Sequence, residues 1–325
     1  MKINIAYWAN EKYSEYAYIS ILSVLKNLNH NSINCFLITT KNNKRIKIIK
    51  DLENIYSNFE FKTIIIDDDD IKNIQMSKKH HITYHCFYRF YIDKIEWIEK
   101  IIYLDCDTIA LRDISQLFEE NISKEIIWIT SDIPCKTVKN RIQELKLKWE
   151  KYFNSGVMVI NLEKRKKNKV SEKWINLVKE NVYQCWDQDA LNIILEKQCK
   201  YLKWAFNVQT EYFEINKNNF YSIGFDKDYY NIAVKDPIIL HFTLAWKPRD
   251  LLNNHPRRRD YDKMRWFSIY IRLTHLLNPQ IAIKDFIIIV LHTFENVLFP
   301  KHENKKLVRN SINKIIHIIN NKIHN

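Results

Sequence analysis

The stretch Ile-Ile-Tyr-Leu-Asp-Cys-Asp-Thr, residues 101–108, joins an apolar run to two carboxylates two residues apart. The apolar run Ile101–Leu104 predicts a buried strand that ends where the polar residues begin. In an extended chain, side chains at i and i+2 point the same way, so Asp105 and Asp107 can face one cation. Two hard oxygen donors suit Mn²⁺ or Mg²⁺. In the alternative interpretation, Asp105 caps a turn and Asp107 is solvated, because D-x-D is a common pattern.

The segments before this stretch alternate between strand and helix patterns. Apolar runs of strand length occur at Ile3–Tyr7, Cys35–Thr39 and Lys62–Ile66, and helical spacing occurs at Tyr16–Leu28 and Lys44–Tyr56. This order is typical of a parallel sheet with helices on both faces. Ligands of such sheets bind beyond the carboxyl ends of the strands. The sequence therefore predicts a single, mostly parallel α/β sheet with its functional site where the apolar runs stop.

The same kind of pattern continues to residue 242. It predicts strands over Ile126–Thr130, Phe153–Leu162 and Pro237–Phe242, and helices over His85–Ile95, Val170–Val182 and Asp187–Leu195. Asp187 is expected to cap the last of these helices.

The composition excludes two common nucleotide-binding motifs. Glycine occurs only twice, at Gly156 and Gly224, so neither G-x-G-x-x-G nor a P-loop can be built. Phosphate chemistry would have to use metal ions or side chains instead. Six cysteines without a C-x-x-C pair favour a reducing, cytoplasmic setting. We expect no signal peptide, and the apolar run Phe286–Leu291 is shorter than the ~20 residues that span a bilayer.

The net charge of +13 lies mostly in the last quarter of the chain. Residues 245–325 hold 15 Lys and Arg against 6 Asp and Glu, so +9 belongs to them and +4 to the rest. From Arg257 to Leu273, basic residues, among them Arg265 and Arg272, alternate with large apolar ones. This composition favours docking on an anionic membrane surface. The alternative is a helical subdomain with a solvated basic face; no nucleic-acid partner is expected, although charge alone would allow one.

Six segments in chain order resemble glycosyltransferase family 8, which includes bacterial lipooligosaccharide galactosyltransferases and glycogenin. They are Asn10-Glu11-Lys12-Tyr13, Tyr88-Arg89, the D-x-D stretch Tyr103–Asp107, Phe153-Asn154-Ser155-Gly156-Val157-Met158-Val159-Ile160-Asn161-Leu162, Asp187-Gln188-Asp189-Ala190-Leu191-Asn192, and His241-Phe242 with Lys247-Pro248. The resemblance covers roughly residues 1–250. The chain departs from the pattern at Leu244 and Arg249, where Gly and Trp are usual, and Asn10 stands where the galactosyltransferase branch has Asp and the glycogenin branch has Asn.

This resemblance implies both a fold and an activity. The fold is a GT-A-like nucleotide-sugar-binding sheet over residues 1–250. The basic amphipathic helical region over residues 251–325 is predicted from its own charge and apolar pattern, for docking on a membrane or an acceptor. The activity is retaining, metal-dependent transfer of galactose or glucose from a UDP-sugar to a glycan or glycolipid acceptor, in lipopolysaccharide or other surface glycan synthesis. The enzyme would be cytoplasmic and peripherally associated with the inner face of the membrane. Alternatives are a sugar nucleotidyltransferase and a nonenzymatic basic binding protein.

The resemblance also implies roles for individual residues. The metal ligands would be Asp105, Asp107 and His241. Contacts to the UDP-sugar are expected from Ala6, Asn10, Tyr13, Arg89, Asp105, Cys106, Asn154 and Lys247. The catalytic candidates are Asp132, Asp187 and Gln188, with Gln188 nearest the anomeric carbon. Whether a carboxylate among Asp132, Asp187 and Asp189 acts as nucleophile, or the acceptor attacks on the front face, stays open.

Several of these residues also have a purely structural interpretation. His241 could be a core histidine, Asn154 a turn residue, Gln188 an exposed helix residue, and Arg89 the ion-pair partner of Asp93. The run Asp67–Asp70 is interpreted as a solvated loop and not as a second metal site.

Overall fold

The chain divides into two units, Met1–His241 and Phe242–Asn325. The computed structural model describes residues 1–67, 84–119, 121–133, 136–149, 151–214, 227–243, 247–248 and 255–275, and residues 283, 286, 287 and 290. Asp68–Asp70, Leu244, Arg249 and most of the predicted tail lie outside the described residues. The functional division at residue 250 stays a prediction.

The elements of the described residues are as follows. The strands are β1 Lys2–Trp8, β2 Ser32–Thr40, β3 Phe59–Ile66, β4 Lys100–Leu104, β5 Thr108–Ala110, β6 Ile127–Ser131, β7 Phe153–Asn161, β8 Cys199–Tyr201, β9 Val208–Gln209 and β10 Ile239–His241. The α-helices are α1 Ser14–Asn27, α2 Ile46–Lys50, α3 Gln116–Glu119, α4 Lys136–Glu144, α5 Leu162–Lys167, α6 Val170–Glu180, α7 Trp186–Ile194, α8 Glu211–Glu214, α9 Lys227–Lys235 and α10 Arg258–Thr274. Short 3-10 helices span Asp51–Asn54, Tyr84–Lys94 and Trp204–Phe206.

The first unit contains a seven-stranded sheet in the order β3-β2-β1-β4-β7-β6-β8. Strands β1 to β4 pair in parallel where they adjoin, as do β6 and β8, and only β7 runs antiparallel to its neighbours. The predicted mostly parallel sheet is confirmed. Because β7 is reversed, its amino end meets the carboxyl ends of β4 and β6 at one edge. That edge therefore collects Asp105, Asp132 and the segment Asn154–Gly156.

Burial on both faces explains the continuous apolar runs of the central strands. Strand β2 is buried from Ile33 to Thr40, and in β1 the side chains of Ile5, Ala6 and Tyr7 are fully buried. A strand covered on both faces needs no polar alternation, so its sequence is a run of apolar residues. This is the pattern from which the sheet was predicted.

A separate three-stranded sheet, β5-β10-β9, was not predicted. Strand β10 pairs antiparallel with β5, which sets His241 opposite Thr108. On its other side it pairs in parallel with β9, which sets His241 opposite Gln209. Strand β10 lies within the predicted strand Pro237–Phe242, but β5 and β9 have only three and two residues, too short a pattern for sequence periodicity to reveal. Their pairing brings the end of the first unit's sequence next to the D-x-D stretch.

Two predicted helices differ from those observed. The helix expected over Lys44–Tyr56 is only α2, followed by the 3-10 helix Asp51–Asn54. The segment around Arg89 is a 3-10 helix over Tyr84–Lys94 and not an α-helix. Apolar spacing of three to four residues fits both helix types, so the sequence could not separate them.

In the second unit, helix α10 has an unexpected distribution of charge. Arg265 and Arg272 are 0% and 1% exposed, so neither presents its charge at the surface. The exposed positions Arg259, Lys263, Trp266, Tyr270 and Leu273 recur at steps of three or four residues and therefore share one face. Within the described part of the chain, we find no helix with the length and apolarity needed to cross a membrane.

Candidate active site

A turn after β4, and not an extended strand, brings Asp105 and Asp107 together. The carbonyl oxygen of Asp105 accepts hydrogen bonds from the amide of Thr108 at 3.2 Å and from its hydroxyl at 2.8 Å. The premise of an extended D-x-D segment is therefore wrong. Asp107 is 7% exposed, which also contradicts a solvated carboxylate. Both carboxylates nevertheless face the same third side chain, His241.

His241 completes this group from the last position of β10. Its Nε2 lies 3.3 Å from Oδ1 of Asp107 and 3.7 Å from Oδ2 of Asp105. One potential ligand atom of each residue lies within 4.8 Å of the others. Two carboxylates and one imidazole can hold a divalent cation, and the two hard oxygen donors favour Mn²⁺ or Mg²⁺. These residues therefore fit the cation that the sequence predicts.

Gly156 lies in contact with two of these three residues. A Cβ atom there would approach Nδ1 of His241 to 2.7 Å and Oδ2 of Asp105 to 2.9 Å, and would come closer still to Cε1 of the imidazole. The carbonyl of Gly156 accepts a hydrogen bond from the amide of Asp105 at 2.8 Å. The missing side chain thus lets the backbone of β7 adjoin the cluster, which explains the glycine of the F-N-S-G segment.

Arg89 connects the acidic cluster to helix α7. Its guanidinium donates to Oδ1 of Asp105 at 3.0 Å and pairs with Oδ2 of Asp187 at 3.0 Å. It also donates to the carbonyl and hydroxyl oxygens of Ser155 at 3.1 and 2.8 Å. Arg89 is 5% exposed, so one buried cation balances two carboxylates. Asp93, the other partner considered for Arg89, accepts a hydrogen bond from Arg165 at 2.8 Å.

Asp187 is buried in the first turn of α7 and does not cap the helix. The N-cap residue is Cys185, and no side chain caps it, so the predicted capping role is wrong. Burial raises the pKa of Asp187 to about 6, and the nearby Arg89 opposes that rise. The ion pair with Arg89 explains why this carboxylate lies inside the site and not at the helix end.

Asp189, one of the carboxylates considered as a nucleophile, is fully buried and structural. It accepts hydrogen bonds from Nε of Arg141 at 2.9 Å, from the hydroxyl of Tyr152 at 2.6 Å and from the amide of Cys185 at 2.7 Å. A second guanidinium nitrogen of Arg141 also donates to it. These bonds occupy both carboxylate oxygens, which leaves Asp132 and Asp187 as the acidic candidates.

Gln188 joins helix α7 to two other parts of the site. Its Oε1 accepts from the amide of Ser155 at 3.0 Å, and its Nε2 donates to Oδ2 of Asp132 at 3.0 Å. The side chain is half-buried, so the alternative of an exposed helix residue is wrong. These two bonds orient the side-chain amide of Gln188, with its oxygen toward Ser155 and its nitrogen toward Asp132.

Asp132 has the carboxyl group best suited to exchange a proton near neutral pH. Burial raises its pKa to about 7, and the charge of Glu211 adds to the rise. The amide of Ile133 donates to its Oδ1 at 2.7 Å and opposes the rise, as does the bond from Gln188. A carboxyl group with a pKa near the working pH is suited to general acid–base chemistry.

The residues predicted to meet the nucleotide lie at the carboxyl end of β1. Ala6 is fully buried inside the strand, where it pairs with Tyr103 of β4. The Oδ1 of Asn10 accepts a hydrogen bond from the amide of Tyr13 at 3.0 Å. The Nδ2 group of Asn10 is then the end that can donate to a nucleotide base. The ring of Tyr13 lies 5.6 Å from that of Trp8. Trp8 is therefore a further aromatic residue at this edge, which sequence reasoning did not single out.

Cys106 points away from the two carboxylates that flank it in sequence. Its thiol donates to the carbonyl oxygen of Trp8 at 2.6 Å. Burial raises the pKa of Cys106 well above its usual value, and Asp105 and Asp107 add to the rise. Since a metal ligand must be a thiolate, Cys106 is unsuited to ligation. Its side chain ties the D-x-D turn to the end of β1.

Asn154 and Asn207 form an amide pair beside His241. The Oδ1 of Asn154 accepts from the amide of Gly156 and from Nδ2 of Asn207, both at 2.9 Å. The Oδ1 of Asn207 lies 3.0 Å from Nδ1 of His241. Asn154 thus makes the local bond of a turn residue and a long-range bond as well. Its predicted contact with the donor sugar stays a prediction.

Lys247 belongs to the second unit. Its Nζ donates to the carbonyl oxygen of Phe242 at 3.3 Å. Its predicted contact with the donor diphosphate stays a prediction.

Sequence reasoning missed three polar residues of this site. The hydroxyl of Tyr103 donates to Oδ1 of Asp105 at 2.7 Å, and its position two residues before Asp105 was the available signal. Ser155 bonds both Arg89 and Gln188, but it was quoted only as part of a motif. Asn207 is fully buried between two short elements, where no local pattern marks it.

Comparison with known proteins shows the family and the fold of this chain. A family profile described as glycosyl transferase family 8 matches residues 4–249. General stress protein A of Bacillus subtilis is 33% identical over 209 residues, which cover 62% of this chain and 70% of that protein. A lipopolysaccharide 1,2-glucosyltransferase of Escherichia coli K12 is 24% identical over 254 residues, 76% of this chain and 72% of that protein.

Among solved structures, the galactosyltransferase LgtC in complex with donor and acceptor sugar analogs superposes with a TM-score of 0.67. The match covers 81% of this chain and 95% of that one at 20% identity, which confirms the GT-A-like fold. The profile match spans most of the chain and includes the D-x-D turn, the start of β7, helix α7 and His241. The chain therefore belongs to glycosyl transferase family 8.

Proposed function

We propose that the chain transfers a hexose, galactose or glucose, from a UDP-sugar to a saccharide acceptor with retention of anomeric configuration. The observation that carries this proposal is the convergence of Asp105, Asp107 and His241 at the sheet edge where Gln188 and Asp132 also lie. A sugar nucleotidyltransferase would normally have a glycine-rich, basic loop after the first strand, which Ala9-Asn10-Glu11 does not provide, and a nonenzymatic binder needs no cluster of metal ligands. The family relationship supports a glycosyl donor and a glycan acceptor.

In this proposal Asp105, Asp107 and His241 hold Mn²⁺ or Mg²⁺. A bound divalent cation supplies positive charge where the leaving diphosphate develops negative charge. Arg89 holds the carboxylate of Asp105 on one side and that of Asp187 on the other, so both stay oriented before the donor binds. Asn10 and Tyr13 receive the base, and Lys247 adds a point charge for the phosphates.

Retention is consistent with attack from the same face as the leaving group. The acceptor hydroxyl oxygen forms a bond to the anomeric carbon as the bond from that carbon to the diphosphate oxygen breaks. The hydroxyl proton passes to the departing diphosphate, so no protein base is required. Gln188 and Asp132 would then orient the donor sugar beside the reacting carbon. Their mutual hydrogen bond and the bond from Ser155 to Gln188 support this orienting role.

A thermal-shift panel tests the proposal. A ligand that binds only the folded chain stabilises it by about 2.7 kcal/mol at 100 times its Kd. We expect UDP-glucose or UDP-galactose to raise Tm only when Mn²⁺ or Mg²⁺ is present, and Asp105→Asn to abolish that rise. Asp236→Asn is the control, because Asp236 is an exposed carboxylate in the pair with Arg112. A cation-independent shift, or full sugar transfer by Asp105→Asn, would contradict the proposal.

We also propose that helix α10 meets an anionic lipid surface through its exposed face. That face carries Arg259 and Lys263, then Trp266, Tyr270 and Leu273. Further exposed apolar side chains occur at Ile283, Phe286 and Val290, and the ring of Phe286 lies 5.4 Å from that of Trp266. Cations beside aromatic and aliphatic side chains suit the boundary between headgroups and acyl chains. Among the described residues of α10, Arg259 and Lys263 are the exposed cations of this face, since Arg265 and Arg272 are buried.

Vesicle co-sedimentation tests this surface. We expect the chain to bind vesicles that contain anionic phosphatidylglycerol more strongly than neutral ones, and the double variant Trp266→Ser/Tyr270→Ser to lose most of that binding. Ile232→Ser is the matched control, because Ile232 is 61% exposed on α9, outside α10. Equal binding by wild type and the double variant would rule out this face of α10 as the lipid contact.

A further inference from the structure

A chain of hydrogen bonds links the backbone of β7 to the imidazole of His241. The amide of Gly156 donates to the side chain of Asn154 at 2.9 Å. The side chain of Asn154 in turn lies 2.9 Å from one end of the side-chain amide of Asn207. The other end of that amide lies 3.0 Å from Nδ1 of His241. Asn154, Asn207 and His241 are all buried, at 7%, 0% and 4% exposure. Each link therefore forms largely away from water, where a mismatched donor or acceptor is costly.

The donors and acceptors along this chain can be assigned in only one way. A backbone N–H can only donate, so the atom of Asn154 that meets Gly156 is its carbonyl oxygen. The same oxygen accepts a second hydrogen bond from Asn207, so the end of the Asn207 amide that faces it must be the NH₂ group. The other end of the Asn207 amide is then its oxygen, which can only accept. Nδ1 of His241 must therefore carry a proton.

This assignment determines where the lone pair of His241 lies. A neutral imidazole with its proton on Nδ1 carries its lone pair on Nε2. Nε2 is the nitrogen that faces Asp107 at 3.3 Å and Asp105 at 3.7 Å. The lone pair is thus directed into the acidic cluster, as a cation ligand requires.

We propose that Asn207 is a positioning residue for the metal site, holding His241 in the tautomer whose Nε2 lone pair faces Asp105 and Asp107. Asn154 serves the same purpose one step further away, because it orients the amide of Asn207. The inference rests on the proposed function, in which Asp105, Asp107 and His241 bind Mn²⁺ or Mg²⁺. It assigns Asn207 no contact with the donor or the cation. Asn207 acts only through the imidazole.

The first test is the tautomer of His241 in the wild-type, metal-free chain. The full chain is labelled with ¹⁵N-histidine, and two-bond ¹H–¹⁵N correlations are recorded at increasing pH until the ¹⁵N shifts of His241 show the neutral ring. We expect a protonated Nδ1 and an unprotonated Nε2. A proton on Nε2 of the neutral ring would overturn the proposal. This measurement needs no variant, so it decides the question even if a substitution at 207 prevents folding.

The second test measures Mn²⁺ affinity by the electron paramagnetic resonance signal of free Mn²⁺. Loss of a partner that orients a metal-binding histidine typically weakens the metal 10- to 100-fold. We expect Asn207→Ala to raise the Kd by roughly that factor and to mix the two tautomers. Asn207→Asp keeps an acceptor for the Nδ1 proton, so it should keep the wild-type tautomer and bind Mn²⁺ much more tightly than Asn207→Ala.

The matched control is Asn34→Ala. Asn34 is also a buried asparagine in an amide pair, since its Nδ2 donates to Oδ1 of Asn4 at 3.1 Å, but it lies in the interior of β2. Its variant should lose stability yet keep the Mn²⁺ Kd and the His241 tautomer. An Mn²⁺ Kd for folded Asn207→Ala within two-fold of wild type would overturn the positioning role.

His241→Ala separates this inference from the proposed function. If His241→Ala also binds Mn²⁺ as wild type does, the metal site itself is wrong. If His241→Ala loses Mn²⁺ while Asn207→Ala keeps it, only the role of Asn207 fails.

Discussion

At the scale of single residues, Gly156 decides how closely β7 can approach the acidic cluster. A methyl group at this position would meet both His241 and Asp105 at distances that atoms do not tolerate. Both side chains or the strand itself must then shift, and overpacking of this kind costs about 1–3 kcal/mol. The site therefore requires a residue without a side chain at position 156, in addition to Asp105, Asp107 and His241.

We therefore expect Gly156→Ala to weaken Mn²⁺ binding by roughly ten-fold or more, in the range typical of changes to residues that support metal ligands. Isothermal titration with Mn²⁺ measures the change. Val159→Ala is the control, because Val159 is a fully buried residue of the same strand and its truncation destabilises β7 without touching the cluster. Wild-type affinity in Gly156→Ala would show that the cluster can rearrange.

The pKa of Asp132 makes the stability of the folded chain depend on pH. Its pKa is about 7 in the folded chain and 3.8 as the ordinary value, so the folded state binds the proton more tightly. Between these values the native state holds more protons than the unfolded state. The contribution of Asp132 to the unfolding free energy therefore falls as pH rises, by at most about 1.4 kcal/mol per pH unit, and levels off above the folded pKa.

Urea unfolding of wild type and Asp132→Ala between pH 5 and pH 9 measures this contribution. The difference in unfolding free energy, wild type minus variant, should decrease steadily from pH 5 to pH 7 and stay constant above pH 8. Since the raised pKa of Asp187 is present in both proteins, its effect cancels in the difference. A difference that does not change with pH would mean that Asp132 is ionised throughout.

At the scale of elements, one buried ion pair holds helix α4 against helix α7. Asp189 of α7 is 0% exposed and receives two guanidinium nitrogens of Arg141 from α4. Removal of one partner of a buried pair leaves an uncompensated charge and typically costs 3–5 kcal/mol. Helix α7 also carries Gln188, so this pair stabilises the element that positions a catalytic candidate.

Arg141→Met should therefore destabilise the chain by about 3–5 kcal/mol in urea unfolding. The double variant Arg141→Met/Asp189→Asn should recover part of that loss, because Asn removes the buried charge yet still accepts from Tyr152. For comparison, Arg112→Met breaks an exposed pair with Asp236 and should cost less than about 1 kcal/mol. Equal losses for Arg141→Met and Arg112→Met would contradict the buried-pair interpretation.

At the scale of the whole molecule, the proposed cation would cross-link two distant parts of the sequence. Asp107 and His241 are 134 positions apart, and the pairing of β5 with β10 brings them together. A ligand held between these strands opposes their separation, because opening the sheet releases it. The bound cation should therefore slow the hydrogen exchange of backbone amides that lie far from Asp105 in sequence.

We expect Mn²⁺ at 100 times its Kd to slow amide hydrogen exchange at Ile239–His241, by up to about 100-fold where exchange requires the sheet to open. Exchange in β3, which lies at the far edge of the seven-stranded sheet, should not change. Hydrogen exchange with mass spectrometry measures both regions in one experiment. Asp107→Asn should abolish the slowing, and uniform slowing over the whole chain would argue against a local cross-link.

The sequence by itself determined the features that depend on local patterns. Apolar runs predicted β1, β2 and β4, because a strand covered on both faces needs no polar positions. The carboxylates after Leu104 pointed to the functional edge, since ligands of parallel sheets bind beyond the strand ends. The ordered motifs indicated the family, which the profile match over residues 4–249 confirms.

Only the tertiary structure decided which side chains meet. The turn at Asp105, the reversal of β7 and the pairing of β10 with β5 all depend on contacts between residues far apart in sequence. Burial of Arg265 and Arg272 depends in the same way on packing, because the sequence does not show which face of α10 is covered. Asn207 is the clearest case. Its role depends on two hydrogen bonds to residues 53 and 34 positions away, and a local pattern carries no information about such partners.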